Sequence, residues 1–230
     1  MSVWTEMVRD PRPELDKYER FTEKGQKKIN EICRAAAMVF YEKGYLSATL
    51  ADVAQAAGLT KGAIFHYFST KEELLFLVLY RYTESTLGEL MVRLNAFSDP
   101  QERIYEYIYL FIMTYKKRQF ESRLALNEVV NLPEKYLNII KEKQREFVKI
   151  LRSLIEDLLE KKERKPGLIT FLTYSLLGMC TWPYRWFNLD GKSSPEELAQ
   201  VIFKIFMGRL KFLEPGGDRG FSHKVKKLKK

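Results

Sequence analysis

The chain has 230 residues, of which 46% are hydrophobic and 30% charged, and its formal net charge is +9. This balance is typical of a folded globular protein and excludes a wholly disordered chain. The two cysteines are far apart in the sequence and there are only two histidines, which excludes a disulfide scaffold and gives no metal-binding or His-rich catalytic pattern.

Nothing in the sequence predicts a membrane segment. The first 16 residues have no apolar core, so they resemble neither a signal peptide nor an anchor. The stretch 168–187 carries one charge, Arg185, but it also contains Pro183 and several hydroxyl side chains. We interpret it as a helix buried in protein and expect a cytoplasmic protein with reduced thiols.

The positive charge is partly concentrated near the N-terminus. The range from Lys24 to Lys71 contains seven basic side chains and three acidic ones. Such an excess on a small unit favours binding to phosphates. A second excess lies at the end of the chain, where six basic residues and no acidic one follow residue 218.

The N-terminal part is predicted to contain short, well-capped helices. Apolar residues at helical spacing over 29–40 indicate a first helix that ends near Gly44. Thr49, with Asp52 three residues later, predicts the cap of a second helix over 50–57.

The third helix is expected over 61–67, after the link Gly58-Leu59-Thr60. Gly58 tolerates a left-handed backbone, and Thr60 is a suitable N-cap. Thr70 and Glu73 have capping-box spacing and start a long helix that runs toward Asn95.

The remainder of the chain is also predicted to be helical. The expected helices begin at Asp99-Pro100, with an apolar stripe over 104–115, and continue at Phe120–Val130, from Pro133 to about residue 158, at 168–187 and at 194–212. No strand-like alternation is present, so the fold class is all-α. The predicted divisions are an N-terminal extension (1–22), a helix-turn-helix domain (23–72), a helical ligand-binding and dimerisation domain (73–213) and a basic disordered tail (214–230).

The two short helices form a helix-turn-helix pattern. Their apolar residues are expected to pack on the first helix, namely Val53, Leu59, Ile64 and Phe68. The outward positions are then Thr60, Lys61, Gly62, Ala63, Phe65, His66 and Tyr67. A major groove admits one helix, and small residues at the helix start allow close approach. An ordinary helical hairpin has the same spacing.

The segment YEKGYLSATLADVAQAAGLTKGAIFHYFSTKEELL closely resembles the N-terminal domain of the tetracycline-repressor (TetR) family. The resemblance implies a homodimeric, ligand-responsive regulator of transcription, usually a repressor, that binds double-stranded operator DNA. It also implies that Thr49, Tyr67 and Lys71 contact phosphates and that Lys61 and Gly62 lie near the bases. Phe65 replaces a tyrosine of many members, so it is expected to touch a thymine methyl group instead. His66 is either a groove contact or a partly packed surface histidine.

In TetR-like proteins the remaining helices bind the effector and form the dimer. The resemblance therefore places the dimer face on helices 168–187 and 194–212. Its expected members are Leu168, Leu172, Leu176, Phe203, Phe206 and Leu210, with Gly178 and Gly208 allowing close approach.

An aromatic segment around Arg185 resembles the regulators of fatty-acid and steroid degradation in this family, whose effectors are acyl-CoA thioesters. The expected ligand-binding residues are Phe111, Tyr115, Arg123, Tyr174, Trp182, Tyr184, Arg185 and Trp186. The arginines are expected to meet CoA phosphates. Phe111, Tyr115 and Tyr174 are expected to line a tunnel for the acyl chain, and Trp182, Tyr184 and Trp186 to stack on a flat or ring-bearing part of the ligand. Two alternatives remain. The aromatic segment can instead fill the hydrophobic core, and the pocket can instead belong to a sensor of multiple drugs. No catalytic motif supports an all-α enzyme, so no catalytic residue, metal or cofactor is predicted. A purely architectural DNA-binding protein is a further alternative, and its binding would depend on the basic tail.

Overall fold

The computed structural model describes the backbone of residues 13–212 and the side chains of residues 14–208. All regular elements in this part of the chain are helical, as the sequence predicted. They are α1 (Pro13–Glu19), α2 (Glu23–Lys43), α3 (Leu50–Ala56), α4 (Lys61–Ile64), α5 (Lys71–Asn95), α6 (Pro100–Lys117), α7 (Gln119–Asn127), α8 (Glu134–Leu158), α9 (Pro166–Thr181) and α10 (Pro195–Phe212). Short 3-10 turns follow α7, α8 and α9 at Val129–Asn131, Lys161–Glu163 and Trp182–Arg185. The predicted tail and the side chain of Leu210 lie outside the described residues.

The helix starts are where the cap residues predicted them. The Asp99 carboxylate accepts from the first backbone amides of α6, and Pro100 occupies the first helical position, where no N–H is needed. Ser194 and Glu197 form a reciprocal pair at the start of α10. Among the described residues, Gly44 (φ +80°) and Gly58 (φ +65°) have a left-handed backbone, and they lie at the ends of α2 and α3.

Several predicted helices end earlier than expected; the one expected over Phe120–Val130, for example, ends at Asn127. The third helix ends at Ile64 instead of residue 67, because the chain tightens into turns in which His66 and Tyr67 donate to carbonyls three residues back. The helix expected over 168–187 ends at Thr181, and a 3-10 turn that contains Pro183 follows. Proline has no amide hydrogen and its ring clashes with the preceding helical turn, which explains the break.

Helix α1 lies in the region that the sequence analysis treated as a plain N-terminal extension. Its Leu15 and Tyr18 side chains are buried. Seven residues are too few for a stable isolated helix, so α1 depends on these tertiary contacts.

The chain forms two compact units. The first contains the described residues up to Thr83 together with Phe120–Lys141, and the second contains Glu84–Gln119 and the described residues from Glu142 onward. Both units have an apolar core. The free thiols of Cys33 and Cys180 are buried, and burial raises the pKa of Cys33 to about 12. Among the described helices, none has the length and apolar character needed to cross a bilayer.

Candidate DNA-binding and effector sites

The helix-turn-helix is held by a small apolar core in the first unit. Val53, Ile64 and Phe68 are completely buried, as predicted, and Leu59 is partly buried against the same cluster. Ala54 is also buried, and its small side chain lets α3 and α4 approach closely. This core fixes which side of α4 faces outward.

The outward-facing side chains lie within residues 60–68, which we call the recognition segment. The Thr60 hydroxyl caps α4 by accepting from the Ala63 amide at 3.1 Å. Lys61, Gly62 and His66 are exposed, and the Phe65 ring is 50% exposed although it is fully apolar. Ala63 and Tyr67 are half-buried. The segment therefore presents a small, basic leading end followed by three aromatic rings.

Several lysines of the basic stretch are already paired with carboxylates. Lys27 pairs with Glu23 at 2.8 Å, Lys28 pairs with Glu31, and Lys43 Nζ lies 2.6 Å from Asp52 Oδ1. Lys61, the lysine of the recognition segment, makes no ion pair within residues 14–208, so no carboxylate in this part of the chain neutralises its charge.

Thr49 and Asp52 form the predicted capping box. Thr49 Oγ1 accepts from the Asp52 amide at 3.2 Å, and Asp52 Oδ2 accepts from the Thr49 amide at 2.8 Å. Hydrogen bonds from Lys43 and then from Thr49 hold the pKa of Asp52 at about 2, below its ordinary value of 3.8. The Thr49 hydroxyl also donates to Asp52 Oδ2 at 2.8 Å, and Thr49 is exposed, so a phosphate contact by this hydroxyl would have to share that bond and stays a prediction.

The lowered pKa of Asp52 makes a prediction for stability in acid. A depressed folded-state pKa means that the ionised carboxylate stabilises the fold above pH 3.8 and that this contribution is lost as the pH falls toward about 2. Asp52→Asn is therefore expected to lower the melting temperature at pH 7, and the gap to the natural protein is expected to close between about pH 4 and pH 2. Thermal melts of both proteins at a series of pH values measure it. A gap that stays constant down to pH 2 would contradict the assignment.

Lys71 is placed differently from the expectation of a free phosphate contact. Its ammonium group donates to the carbonyls of Tyr45, Leu46 and Ala48 at 2.8, 3.1 and 3.0 Å and lies 4.6 Å from the Tyr45 ring centre. A lysine has three N–H donors, and here all three are used. In this conformation Lys71 fastens the loop between α2 and α3, so a phosphate would have to share or displace one of these bonds.

The predicted effector residues are divided between the two units. Phe111 and Tyr115 lie on α6 in the core of the second unit: Phe111 stacks on Tyr107 with ring centres 4.8 Å apart, and the Tyr115 hydroxyl donates to the Cys180 carbonyl at 2.6 Å. Arg123 belongs to the first unit, where its guanidinium donates to the Tyr41 hydroxyl at 2.9 Å. A contact of Arg123 with an effector stays a prediction.

The other predicted ligand residues lie at or near the surface of the second unit. Trp182, Arg185 and Trp186 are exposed on the 3-10 turn after α9, and the Arg185 guanidinium lies 5.3 Å from the ring centre of the half-buried Tyr184. Tyr174 is 59% exposed on α9, so in this structure it lies on the surface of the second unit, and its place in an acyl tunnel stays a prediction. The cause is the rotation of α9, which buries Ile169, Thr173, Leu176 and Cys180 instead.

The apolar outer surface of α9 and α10 also differs from the prediction. Leu176 and Phe206 are buried in the core, and Leu172 and Phe203 pack partly against it. The exposed positions follow one helical stripe on each helix, which we call the exposed apolar stripe: Phe171, Tyr174, Gly178, Val201, Ile205 and Gly208. A Cβ atom added at either glycine would meet no atom within 4 Å, so there is open space beside both, and their role in close approach of a partner stays a prediction.

A groove of about 600 Å³ lies elsewhere in the second unit, at the start of α6 beside α10. We call it the acidic groove, because its walls combine the Phe97, Tyr105 and Phe203 rings with acidic side chains. Of these acids, Asp99 caps α6 and Glu106 pairs with Arg93 at 2.8 Å, while Glu102 is exposed. Within residues 14–208, no group of three His, Cys, Asp or Glu side chains is arranged to hold a metal ion.

Two family models match the sequence. The model "Bacterial regulatory proteins, tetR family" matches residues 32–78, and the model "Tetracyclin repressor-like, C-terminal domain" matches residues 98–210. Together with the all-helical fold and its helix-turn-helix, these matches define a DNA-binding transcriptional regulator. The chain belongs to the TetR family.

Individual relatives are distant but extend over most of the chain. The sequence is 22% identical over 181 residues to the HTH-type transcriptional repressor KstR2 of Mycolicibacterium smegmatis, covering 78% of this chain and 88% of that relative. The structure is similar to that of a TetR-family transcriptional regulator from Bordetella parapertussis, with a TM-score of 0.73 and 27% identity over 78% of this chain and 93% of the other. It also matches AibR in complex with isovaleryl coenzyme A and operator DNA, with a TM-score of 0.71 and 23% identity over 77% and 97% of the two chains. At this identity, the last likeness concerns the fold.

Proposed function

We propose that this protein is a transcriptional repressor, and not an enzyme, that acts in the cytoplasm and binds a palindromic operator as a homodimer. The observation that carries the proposal is the recognition segment, in which Ile64 and Phe68 are buried while Lys61, Gly62 and His66 face outward. Two such segments enter successive major grooves when they are about 34–36 Å apart. Selection from randomised duplex DNA, followed by anisotropy titration of the enriched sequence, tests it; enrichment of no sequence would refute operator binding.

The exposed apolar stripe supports the dimer. Phe171 is 73% and Ile205 51% exposed, and an apolar stripe of this kind on two helices that contact each other is costly unless a partner covers it. We infer that α9 and α10 pack against the same helices of a second copy. Trp182 continues the spacing of Tyr174 and Gly178 along α9, so it serves either this interface or the ligand.

An acyl-CoA is the effector that we propose. Arg185 supplies a cation for a phosphate, and Trp182 and Trp186 supply exposed rings for stacking within the same turn. The likeness to AibR adds indirect support, because AibR was solved with isovaleryl coenzyme A. The effector would favour a dimer whose recognition segments are wrongly spaced for DNA, and it can shift the balance only through its preference for that state. Genes of fatty-acid or lipid degradation are the proposed targets.

Titration with CoA esters tests this effector. Long-chain acyl-CoA is expected to release the protein from its selected operator, whereas free fatty acid and free CoA release it less, because the ester offers both the acyl chain and the phosphates. Arg185→Ala is expected to raise the required acyl-CoA concentration about tenfold, the scale of one charge-assisted contact, without changing operator affinity. Lys192→Ala, another exposed cation in the following loop, is the matched control. Equal operator binding with and without every ester would rule out acyl-CoA.

A sensor of hydrophobic cations, of the multidrug type, is the second candidate. The acidic groove favours it, because aromatic faces and carboxylates together attract organic cations. Release of the operator by a lipophilic cation such as ethidium or a quaternary ammonium, lost in Glu102→Gln and Tyr105→Ala, would support this reading over the acyl-CoA one. Ethidium also intercalates, so its effect has to be absent for an unrelated repressor on the same assay.

A further inference from the structure

The segment that precedes the helix-turn-helix packs directly on it. Tyr18 of α1 is buried, and its ring centre lies 5.7 Å from that of Phe68, the last residue of the recognition segment. The Tyr18 hydroxyl donates to Glu73 Oε1 at 2.7 Å across 55 residues of sequence. Residues 14–22 are thus packed against the rest of the first unit.

Glu73 joins three parts of the unit through one carboxylate. Oε1 accepts from Tyr18 and pairs with Lys17, while Oε2 accepts from the Ser69 amide at 2.7 Å. Since Ser69 directly follows the recognition segment, α1 and the end of that segment share a single buried anion. Such a network is rigid when all of its members are satisfied, which is the case here.

Phe21, in the turn between α1 and α2, reaches the aromatic side of the recognition segment. Its ring stacks on Tyr67, with centres 5.5 Å apart and planes 24° apart, and it meets His66 edge-on at 5.9 Å and 89°. His66 and Tyr67 are themselves edge-to-face at 5.1 Å. The three rings therefore hold one another in place. Contacts of this kind contribute about 0.5–1.5 kcal/mol per aromatic pair.

We propose that Phe21, whose backbone amide donates to the carbonyl of the buried Tyr18 at 3.3 Å, is a positioning residue for operator recognition. It orders His66 and Tyr67 in the free protein, so the entropy cost of fixing their rotamers does not reduce the free energy of DNA binding. Phe21 itself needs no DNA contact for this. The inference rests on the proposed function, because it assumes that the recognition segment enters a groove.

Gly25 provides an independent way to move the Phe21 ring. A Cβ added at Gly25 would lie 3.0 Å from both Cβ and Cδ1 of Phe21, closer than ordinary packing allows. Gly25→Ala is therefore expected to displace Phe21 without removing it. Gly88→Ala is the matched control: it adds the same methyl group to α5, where a Cβ would meet nothing within 4 Å.

The experiment compares binding of the full chain to its selected operator and to a scrambled duplex. Phe21→Ala is expected to weaken operator binding about tenfold, corresponding to the ordering of two side chains, while leaving the affinity for scrambled DNA unchanged. Phe21→Tyr, which keeps the ring, is expected to restore operator affinity. Gly25→Ala is expected to weaken operator binding in the same selective manner, and Gly88→Ala is expected to leave it unchanged.

A spectroscopic readout separates positioning from simple loss of structure. The ring protons of His66, identified by their absence in His66→Gln, are expected to move in the NMR spectrum of free Phe21→Ala, because the edge-on contact with Phe21 is lost, and to return toward their original position in Phe21→Tyr. Operator affinity of Phe21→Ala equal to that of the natural protein would overturn the inference alone. A parallel loss of operator and scrambled-DNA binding with a lowered melting temperature would also overturn it, in favour of a structural role. Failure of the natural protein to bind any selected operator would instead remove the proposed function and the inference with it.

Discussion

The double substitution Phe171→Asp with Ile205→Asp is expected to convert the proposed dimer into a folded monomer and to weaken operator binding by a factor of about 100 or more. Two carboxylates facing two others in an apolar interface remain unpaired and desolvated, which is far more costly than leaving them in water. Linking two half-site contacts through a dimer typically contributes about 10²–10⁴ in affinity, and a monomer forfeits that gain. Analytical ultracentrifugation gives the oligomeric state, and anisotropy on the selected operator gives the affinity.

The control for this substitution is Val92→Asp on α5. Val92 is as exposed as Phe171, at 73%, but it lies outside the exposed apolar stripe, so its replacement is expected to change neither the mass in solution nor operator binding. Because the replaced side chains are already exposed, the unfolding transition of all three proteins should remain cooperative. A dimer that survives the double substitution would show that α9 and α10 do not form the interface.

The stripe also illustrates what the sequence could not determine. Helices α9 and α10 are apolar on more than one side, so periodicity alone gives two acceptable faces and no basis for choosing between them. The prediction selected Leu176 and Phe206, which the folded unit buries, and omitted Phe171 and Ile205, which it exposes. Only the positions of the neighbouring helices decide which face is inside.

Local features were predicted much better, because their physics is contained in a few consecutive residues. The capping box at Thr49 and Asp52, the Asp99-Pro100 start and the left-handed Gly58 all depend on neighbours within about four positions. The contacts that the sequence analysis missed are those with large separations along the chain. Phe21 meets Tyr67 across 46 residues, and no pattern in a single sequence indicates that pairing.

Lys71 lies between these two cases. The resemblance to the family implied a phosphate contact for it, whereas its bonds to three carbonyls some 25 residues earlier become visible only in the folded chain. A phosphate contact and a structural role in holding the loop between α2 and α3 have different effects on the free protein. A phosphate contact acts only when DNA is bound, but a loop fastening stabilises the free protein as well.

Lys71→Met is therefore expected to lower the free energy of unfolding by about 2 kcal/mol, the scale of charge-assisted hydrogen bonds in a partly exposed site. Operator affinity is expected to fall as well, because the loop before α3 loosens. Chemical denaturation at constant ionic strength measures the first effect. A stability equal to that of the natural protein, together with a lowered salt dependence of DNA binding, would assign Lys71 to a phosphate after all.

Lys61→Met is the matched comparison, since it removes the same charge from an exposed lysine without an ion pair in the described chain. It is expected to leave the free energy of unfolding unchanged and to reduce the slope of log affinity against log salt by about 1 per protomer, because one phosphate contact is lost. The opposite behaviour of two lysines only ten residues apart follows from their surroundings: the ammonium group of Lys71 is already surrounded by carbonyl oxygens, whereas that of Lys61 has water to exchange for a phosphate.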